Sequence, residues 1–204
     1  MRKIYFAVCL AMMLLLTSCA SWDLIGIGAV EAFDRVINSE NVRVENTDIG
    51  WVLNMPDGNA SLSLDRDGST SRISFQEYTV RLIDGNVLWM GASFEFNTTE
   101  YETEMTPLTI FKQILHYRPE FIGYHDTGHH YMLHFGDSGN MLMFARDIAS
   151  QEAGVVFMLN PEQFIEAGVD VHNIDGWHFG PHETMTIRGQ TVTRDFLVKT
   201  FDLR

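Results

Sequence analysis

Histidine is the residue type in this sequence with the clearest capacity for chemistry. The chain contains eight histidines; five of them lie between residues 116 and 134, and three lie between residues 172 and 182. A neutral imidazole binds zinc or copper, and it also transfers protons near neutral pH. Whether the two clusters form a metal site depends on the secondary structure that carries them.

A spacing of four residues brings two histidines together on a helix but not on a strand. His125 and His129 have this spacing, and so do His130 and His134. The alternation of polar and apolar residues around Tyr131 predicts a strand instead. Four residues of strand span ~13 Å, which is too long for two imidazoles that must each lie ~2.1 Å from one ion. Neither pair is therefore expected to bind a metal by itself.

A hairpin offers a different arrangement of the same residues. If Asp126–His129 forms a four-residue loop, His125 and His130 face each other with their Cβ atoms ~5 Å apart. A third ligand would then come from the loop that contains His178 and His182. This arrangement gives our alternative hypothesis, a metal-binding protein or metal-dependent hydrolase. Exposed or hydrogen-bonded histidines remain the simpler interpretation, so we assign no catalytic, metal-binding or cofactor-binding residue and expect no cofactor.

The first eighteen residues have the features of an export signal. Arg2 and Lys3 form a short basic start, and Ile4–Leu16 is a continuous apolar run. Thirteen residues in a helix span ~20 Å, which is less than the ~30 Å hydrocarbon core of a bilayer. A basic start, a short apolar run and small residues after it are typical of a cleaved signal peptide.

The end of this segment, Leu16-Thr17-Ser18-Cys19, resembles the lipobox of bacterial lipoproteins. The resemblance covers about the first twenty residues and says nothing about the rest of the chain. It implies that the signal is cut before Cys19, that this thiol receives a diacylglyceryl group, and that the new amino terminus is acylated too. Two or more acyl chains make membrane attachment effectively permanent. Because Ala20, not Asp, follows the cysteine, the resemblance favours the outer membrane over the inner membrane.

Charge and cysteine content narrow the possibilities for the remaining chain. The net charge is −13, and it becomes −15 once the signal leaves with its two basic residues and no acidic ones. So negative a chain is unsuited to nucleic acid, which is bound through clustered Lys and Arg, but it favours basic partners. Cys9 and Cys19 are the only cysteines, and both lie in the N-terminal segment. An internal disulfide is therefore excluded.

The first half of the mature chain predicts a helix, a group of strands and a second helix. Apolar residues recur at helical spacing in 24–40. Residues 50–96 alternate with a period of two between Asp-Gly turns, which predicts an antiparallel meander, and a slip at Gln76-Glu77 predicts a β-bulge. Thr106 and Pro107 begin a second helix, which ends at Arg118-Pro119.

Strands return in the second half of the chain. The predicted elements are strands at Phe121–His125, His130–Phe135, Met141–Ala145 and Val155–Leu159, a short helix from Asn160 to Ala167, a loop at 170–183, and a closing hairpin of Thr184–Arg188 with Thr191–Leu203. Strands with inserted helices predict the α+β class, mainly antiparallel β, as a curved sheet, an open barrel or a sandwich with two or three helices.

These observations combine into one prediction of organisation and function. We expect a lipoprotein signal peptide at 1–18, a lipidated N-terminus at 19–23 and a single β-rich domain at 24–204. The protein is expected in the bacterial cell envelope, held by lipid on Cys19. The outer membrane is favoured over the inner membrane. Its domain is predicted to be a noncatalytic binding or assembly module with an acidic surface. A basic envelope protein is the expected kind of partner, with no role for nucleic acid.

The lipid anchor gives the first testable prediction. Cys19→Ala removes the thiol that the lipobox resemblance marks for acylation. The variant should lose both its partition into membranes and its uptake of labelled fatty acid, which fractionation and metabolic labelling measure. A variant that kept both properties would contradict the lipoprotein prediction.

Overall fold

The described residues fold into two antiparallel sheets and three helices, which confirms the predicted α+β class with mainly antiparallel strands. The structure, a computed structural model, describes residues 27–81, 87–97, 104–117, 122–125, 130–134, 138–146, 153–187 and 190–203. The predicted signal peptide, Cys19 and the predicted loop Asp126–His129 lie outside the described residues.

The first sheet is the meander predicted for residues 50–96, with one further strand at its edge. Its strands follow the order of the chain, β1-β2-β3-β4-β5. They are β1 (Arg43–Asn46), β2 (Gly50–Asn54), β3 (Ala60–Asp67), β4 (Thr70–Arg81) and β5 (Val87–Asn97). The Asp-Gly signals are confirmed at two turns, where Gly58 and Gly68 have φ of 72° and 55°. Glycine adopts such angles without steric cost. Strand β1 is mostly exposed and was not predicted.

The predicted β-bulge is present in β4. Glu77 pairs with Met90, but Val80 pairs with Leu88, so β4 contains one residue more than its partner β5. Before the bulge, Ile73, Phe75 and Glu77 point to the same face, and all three are buried. The row of buried side chains on this face of β4 therefore ends, just before the bulge, with the carboxylate of Glu77.

The second sheet has six strands in the order β10-β11-β9-β8-β7-β6. They are β6 (Ile122–His125), β7 (His130–His134), β8 (Met141–Arg146), β9 (Ala153–Leu159), β10 (His178–Ile187) and β11 (Gln190–Asp202). In a flat sheet the two outer strands would lie about 24 Å apart, because neighbouring strands are about 4.8 Å apart. Strands β10 and β6 instead contact each other. The sheet is therefore strongly curved.

The predicted loop at 170–183 is wrong in its last six residues. Strand β10 begins at His178 and continues through Gly180-Pro181. That dipeptide is typical of loops because proline cannot donate to a ladder. Here the strand absorbs it as a bulge, which appears as a register shift between Gly180 and Glu183.

The helices fix the core against the second sheet. Helix α1 covers residues 27–37 of the described chain, α2 is Pro107–Tyr117 and α3 is Glu162–Glu166. Phe33 of α1 stacks on Phe111 of α2 at 4.2 Å, and both rings meet Phe144 of β8 edge-on. The first helix thus packs on the core of the domain. No helix in the described ranges has the length and apolarity needed to cross a bilayer.

Both faces of the second sheet are buried. One face packs on the first sheet and the helices, as in the contact of Phe75 with Phe157 at 4.6 Å. The side chains that alternate with these form a smaller cluster of Met132, Met141, Val156, Met158 and Phe196. The curvature of the sheet accounts for the burial of this second cluster.

Candidate functional site

A cavity of about 500 Å³ opens where β10 and β11 pass the start of α3. We call it the rim cavity. It is lined by Gly139, Asn160, Pro161, Glu162, Ile165, His182, Thr193, Arg194, Asp195 and Phe196. This volume lies within the range of small-molecule sites, about 300–1,000 Å³. The lining combines charged groups with an apolar floor, since Phe196 belongs to the buried methionine-rich cluster.

The bulge in β10 places a histidine at the edge of the rim cavity. His182 has φ of 55°, a left-handed conformation that few residues other than glycine adopt. Its backbone N–H donates to Oδ1 of Asp195 at 2.7 Å, and its Nδ1 lies 3.2 Å from the same oxygen. The side chain of Asp195 thus accepts the backbone N–H of His182, which the bulge leaves without a partner in the strand ladder. Unusual backbone conformations of this kind are found preferentially at functional sites.

A second network holds the opposite side of the cavity. The side-chain oxygen of Asn140 accepts the backbone N–H of Asn160 at 2.8 Å. The side chain of Asn160 accepts the N–H of Glu162 at 3.1 Å and donates to the carbonyl of Ser138 at 3.2 Å. These bonds connect the turn before β8 to the start of α3, so hydrogen bonds hold this side of the cavity in place.

A separate charge cluster lies between the two sheets. Lys199 of β11 places its Nζ 2.5 Å from Oε1 of Glu77 and 2.8 Å from Oδ2 of Asp57. The indole N–H of Trp177 donates to the other oxygen of Glu77 at 2.7 Å. Glu77 is 4% exposed, and the side chain of Lys199 is 11% exposed. We call these four residues the inter-sheet charge cluster.

The local sequence explains how charged residues reach this position. Lys199 lies between Leu197 and Phe201, two core residues on the same face of β11. Glu77 follows Phe75 in the same way on β4. Neither residue was predicted to be buried, because the alternation along each strand was interpreted as an apolar signal alone. A charged residue in phase with buried apolar residues is the signal that would have identified them, since such a group is buried only with a partner.

Lys199 and Asp57 each stabilise the ionised form of the other. Burial disfavours the charged form of Lys199, but hydrogen bonds to Asp57 and Glu77 outweigh this effect and raise the pKa of Lys199 above its ordinary value. Burial also disfavours ionisation of Asp57. Hydrogen bonds from Lys199 and from two backbone N–H groups of the following turn nevertheless leave the pKa of Asp57 below its ordinary value.

The structure places the four histidines of the hypothesised metal site on strands β6, β7 and β10. The predicted pairing of His125 with His130 is confirmed in the backbone register of β6 and β7, but their side chains lie outside the description. His178 and His182 are on strand β10, not in a loop, and His182 contacts Asp195. Among the residues that the structure describes, no group of three His, Cys, Asp or Glu side chains is arranged to hold a metal ion.

No protein-family model, no curated protein and no solved structure matches this chain. The chemistry of the two sites therefore rests on their own geometry.

The inter-sheet charge cluster gives a prediction about stability. Lys199→Met should lower the free energy of unfolding by about 3 kcal/mol, because it leaves the buried carboxylate of Glu77 without its cation. The control is Arg43→Met, which removes an exposed pair with Glu45 at 3.0 Å and should cost less than about 1 kcal/mol. Urea unfolding of the full-length protein in detergent, followed by tryptophan fluorescence, measures both. Equal losses in the two variants would contradict a structural role for the cluster.

The same cluster predicts how stability depends on pH. The depressed pKa of Asp57 contributes stability that is complete above its unfolded value of about 3.9 and is lost as the pH falls through the folded value. The raised pKa of Lys199 contributes stability that is complete below about 10.4 and is lost as the pH rises through the folded value. Asp57→Asn should therefore flatten the acid side of the stability curve, and Lys199→Met the alkaline side. Curves that stay parallel to the parent would contradict these assignments.

Proposed function

We propose that this protein is a lipid-anchored cell-envelope protein whose β-rich domain is a noncatalytic binding or assembly module. The anchor rests on the resemblance of Leu16-Thr17-Ser18-Cys19 to a lipobox. The binding role rests on one structural observation, the rim cavity. Its lining offers charged and apolar groups together, as sites for small ligands commonly do. Ala20 favours placement at the outer membrane.

The arrangement of the lining favours binding over catalysis. A His–Asp pair assists catalysis when the histidine also reaches a nucleophile. Among the lining residues that the structure describes, the hydroxyl is that of Thr193, and it contacts the hydroxyl of Thr184 at 3.1 Å. His182 is 84% exposed at its side chain and faces Asp195. These contacts are suited to holding a ligand in place.

The acidic surface supports a basic partner for the domain. The net charge of −15 after signal removal gives the domain a long-range attraction for cationic proteins. Exposed acidic residues on this part of the surface include Glu162, which lines the cavity, and Glu166 and Asp170, which follow it in the chain. Attraction of this kind accelerates encounter more than it strengthens the final complex.

A capture experiment tests the proposed partner chemistry. Full-length protein immobilised in detergent should enrich basic envelope proteins at low salt. The enrichment should fall at about 1 M salt, where electrostatic attraction is screened within about 3 Å. Quantitative mass spectrometry of both eluates provides the measurement. Absence of any basic protein from the low-salt eluate would count against an electrostatic partner.

One observation supports a second candidate function, which is metal binding or metal-dependent hydrolysis. The register aligns His125 with His130, and β6 contacts β10, the strand that carries His178 and His182. Imidazoles from neighbouring strands are suitable ligands for zinc.

Calorimetric titration of the full-length protein with zinc decides this alternative. A metal site predicts saturable heat that weakens at least tenfold in His130→Ala and is unchanged in a His116→Ala control, whose exposed side chain lies on α2. No saturable heat in the parent protein would remove the metal hypothesis and leave the binding module.

A further inference from the structure

Two opposite charges in the rim cavity are not neutralised by the protein itself. Arg194 on β11 and Glu162 at the start of α3 both line the cavity. They do not form an ion pair with each other, and the guanidinium group of Arg194 makes no hydrogen bond or ion pair with any residue that the structure describes. The nearest polar contact of the Glu162 carboxylate is the amide nitrogen of Asn160 at 3.5 Å. Both groups therefore keep capacity for a charged ligand.

The head group of the arginine lies next to a glycine. Gly139 has φ of 76°, and a Cβ atom at this position would lie 2.9 Å from a guanidinium nitrogen of Arg194. The guanidinium group therefore lies directly against backbone at the cavity wall. Arginine presents a planar set of donors that matches a carboxylate through two parallel hydrogen bonds.

The position of the glutamate is fixed by its own backbone. Its N–H donates to the side-chain oxygen of Asn160 at 3.1 Å, at the first residue of α3. Asn160 is held in turn by Asn140 and Ser138. The backbone that carries the Glu162 side chain is thus held in place, and its carboxylate remains exposed to the cavity.

Apolar surface accompanies these two charges. Phe196, Pro161 and Ile165 all line the cavity; the first two are buried, and Ile165 is an aliphatic side chain that is 51% exposed. Small-molecule sites commonly combine apolar surface with a few charged groups.

We propose that the rim cavity binds a small zwitterion of the amino-acid or short-peptide class. Its carboxylate pairs with Arg194, its ammonium group pairs with Glu162, and its aliphatic part contacts Ile165 and Phe196. A simple anion fits less well, since it would meet two carboxylates, of Glu162 and Asp195, beside a single arginine. This inference rests on the proposed binding function and names the ligand class for the same site.

Titration calorimetry of the full-length protein in detergent tests the proposal with defined probes. The probes are L-leucine, L-alanyl-L-leucine, its N-acetylated form and its C-terminal amide. At least one of the two free zwitterions should bind saturably, and blocking either end of the dipeptide should weaken binding at least tenfold. Absence of binding by both zwitterions would overturn the proposal. So would acetylated peptide that binds as tightly as free peptide, because that result indicates an anion site.

Matched variants assign the two charges. Arg194→Gln and Glu162→Gln should each weaken binding of the free zwitterion at least tenfold. The controls are Arg43→Gln on the edge strand β1 and Glu166→Gln on α3, which lie outside the cavity lining and should bind within twofold of the parent. Urea unfolding of each variant shows whether it folds. A folded Arg194→Gln that bound like the parent would overturn the proposed pairing.

Membrane attachment and ligand binding are measured separately, so the two proposals can fail separately. If the protein stays with membranes through Cys19 and binds no zwitterion, the ligand class is wrong and the anchored module stands. If the protein binds the dipeptide but carries no lipid, the envelope proposal is wrong and the ligand class stands.

Discussion

The buried ion pair between Lys199 and Glu77 is the contact on which the arrangement of the two sheets depends. Each residue stands in a row of apolar side chains, so neither charge can return to water without lifting its strand from the core. Burying one charge alone costs several kcal/mol, and a partner reduces that cost only in good geometry. The pair therefore adds a directional contact between β4 and β11 to the apolar packing of the two sheets.

Strand β11 connects that alignment to the rim cavity. Its core-facing residues, among them Lys199, hold the strand against the first sheet, while Phe196 faces the methionine-rich cluster and Arg194 faces the cavity. Side chains of a strand alternate between its faces, so a shift of one residue would exchange the two sets. The placement of β11 that brings Lys199 to Glu77 therefore also brings Arg194 next to Gly139. The rim cavity and a core contact therefore depend on the same placement of β11.

Local patterns in the sequence predicted most elements but not their assembly. The Asp-Gly turns, the alternation in residues 50–96 and the slip near Glu77 are short-range signals, and the structure confirms them. The division into two sheets, the insertion of β11 between β9 and β10, and the edge strand β1 depend on long-range pairing that no local pattern encodes. The cavity was missed for the same reason, since β11, α3 and the turn at Gly139 meet only in the fold. His182 was singled out, but as a metal ligand in a loop and not as a strand residue hydrogen-bonded to Asp195.

The close packing of α1 on the core limits how far a lipid-held domain can travel. Only seven residues lie between Cys19 and Ile27, where the described helix begins. Even fully extended, that segment spans at most about 28 Å, which is comparable to the thickness of the bilayer interior. A protein attached through Cys19 would therefore work in the water layer next to the lipid headgroups. Molecules would have to diffuse to that layer to meet it, and its reach towards structures deeper in the envelope would be short.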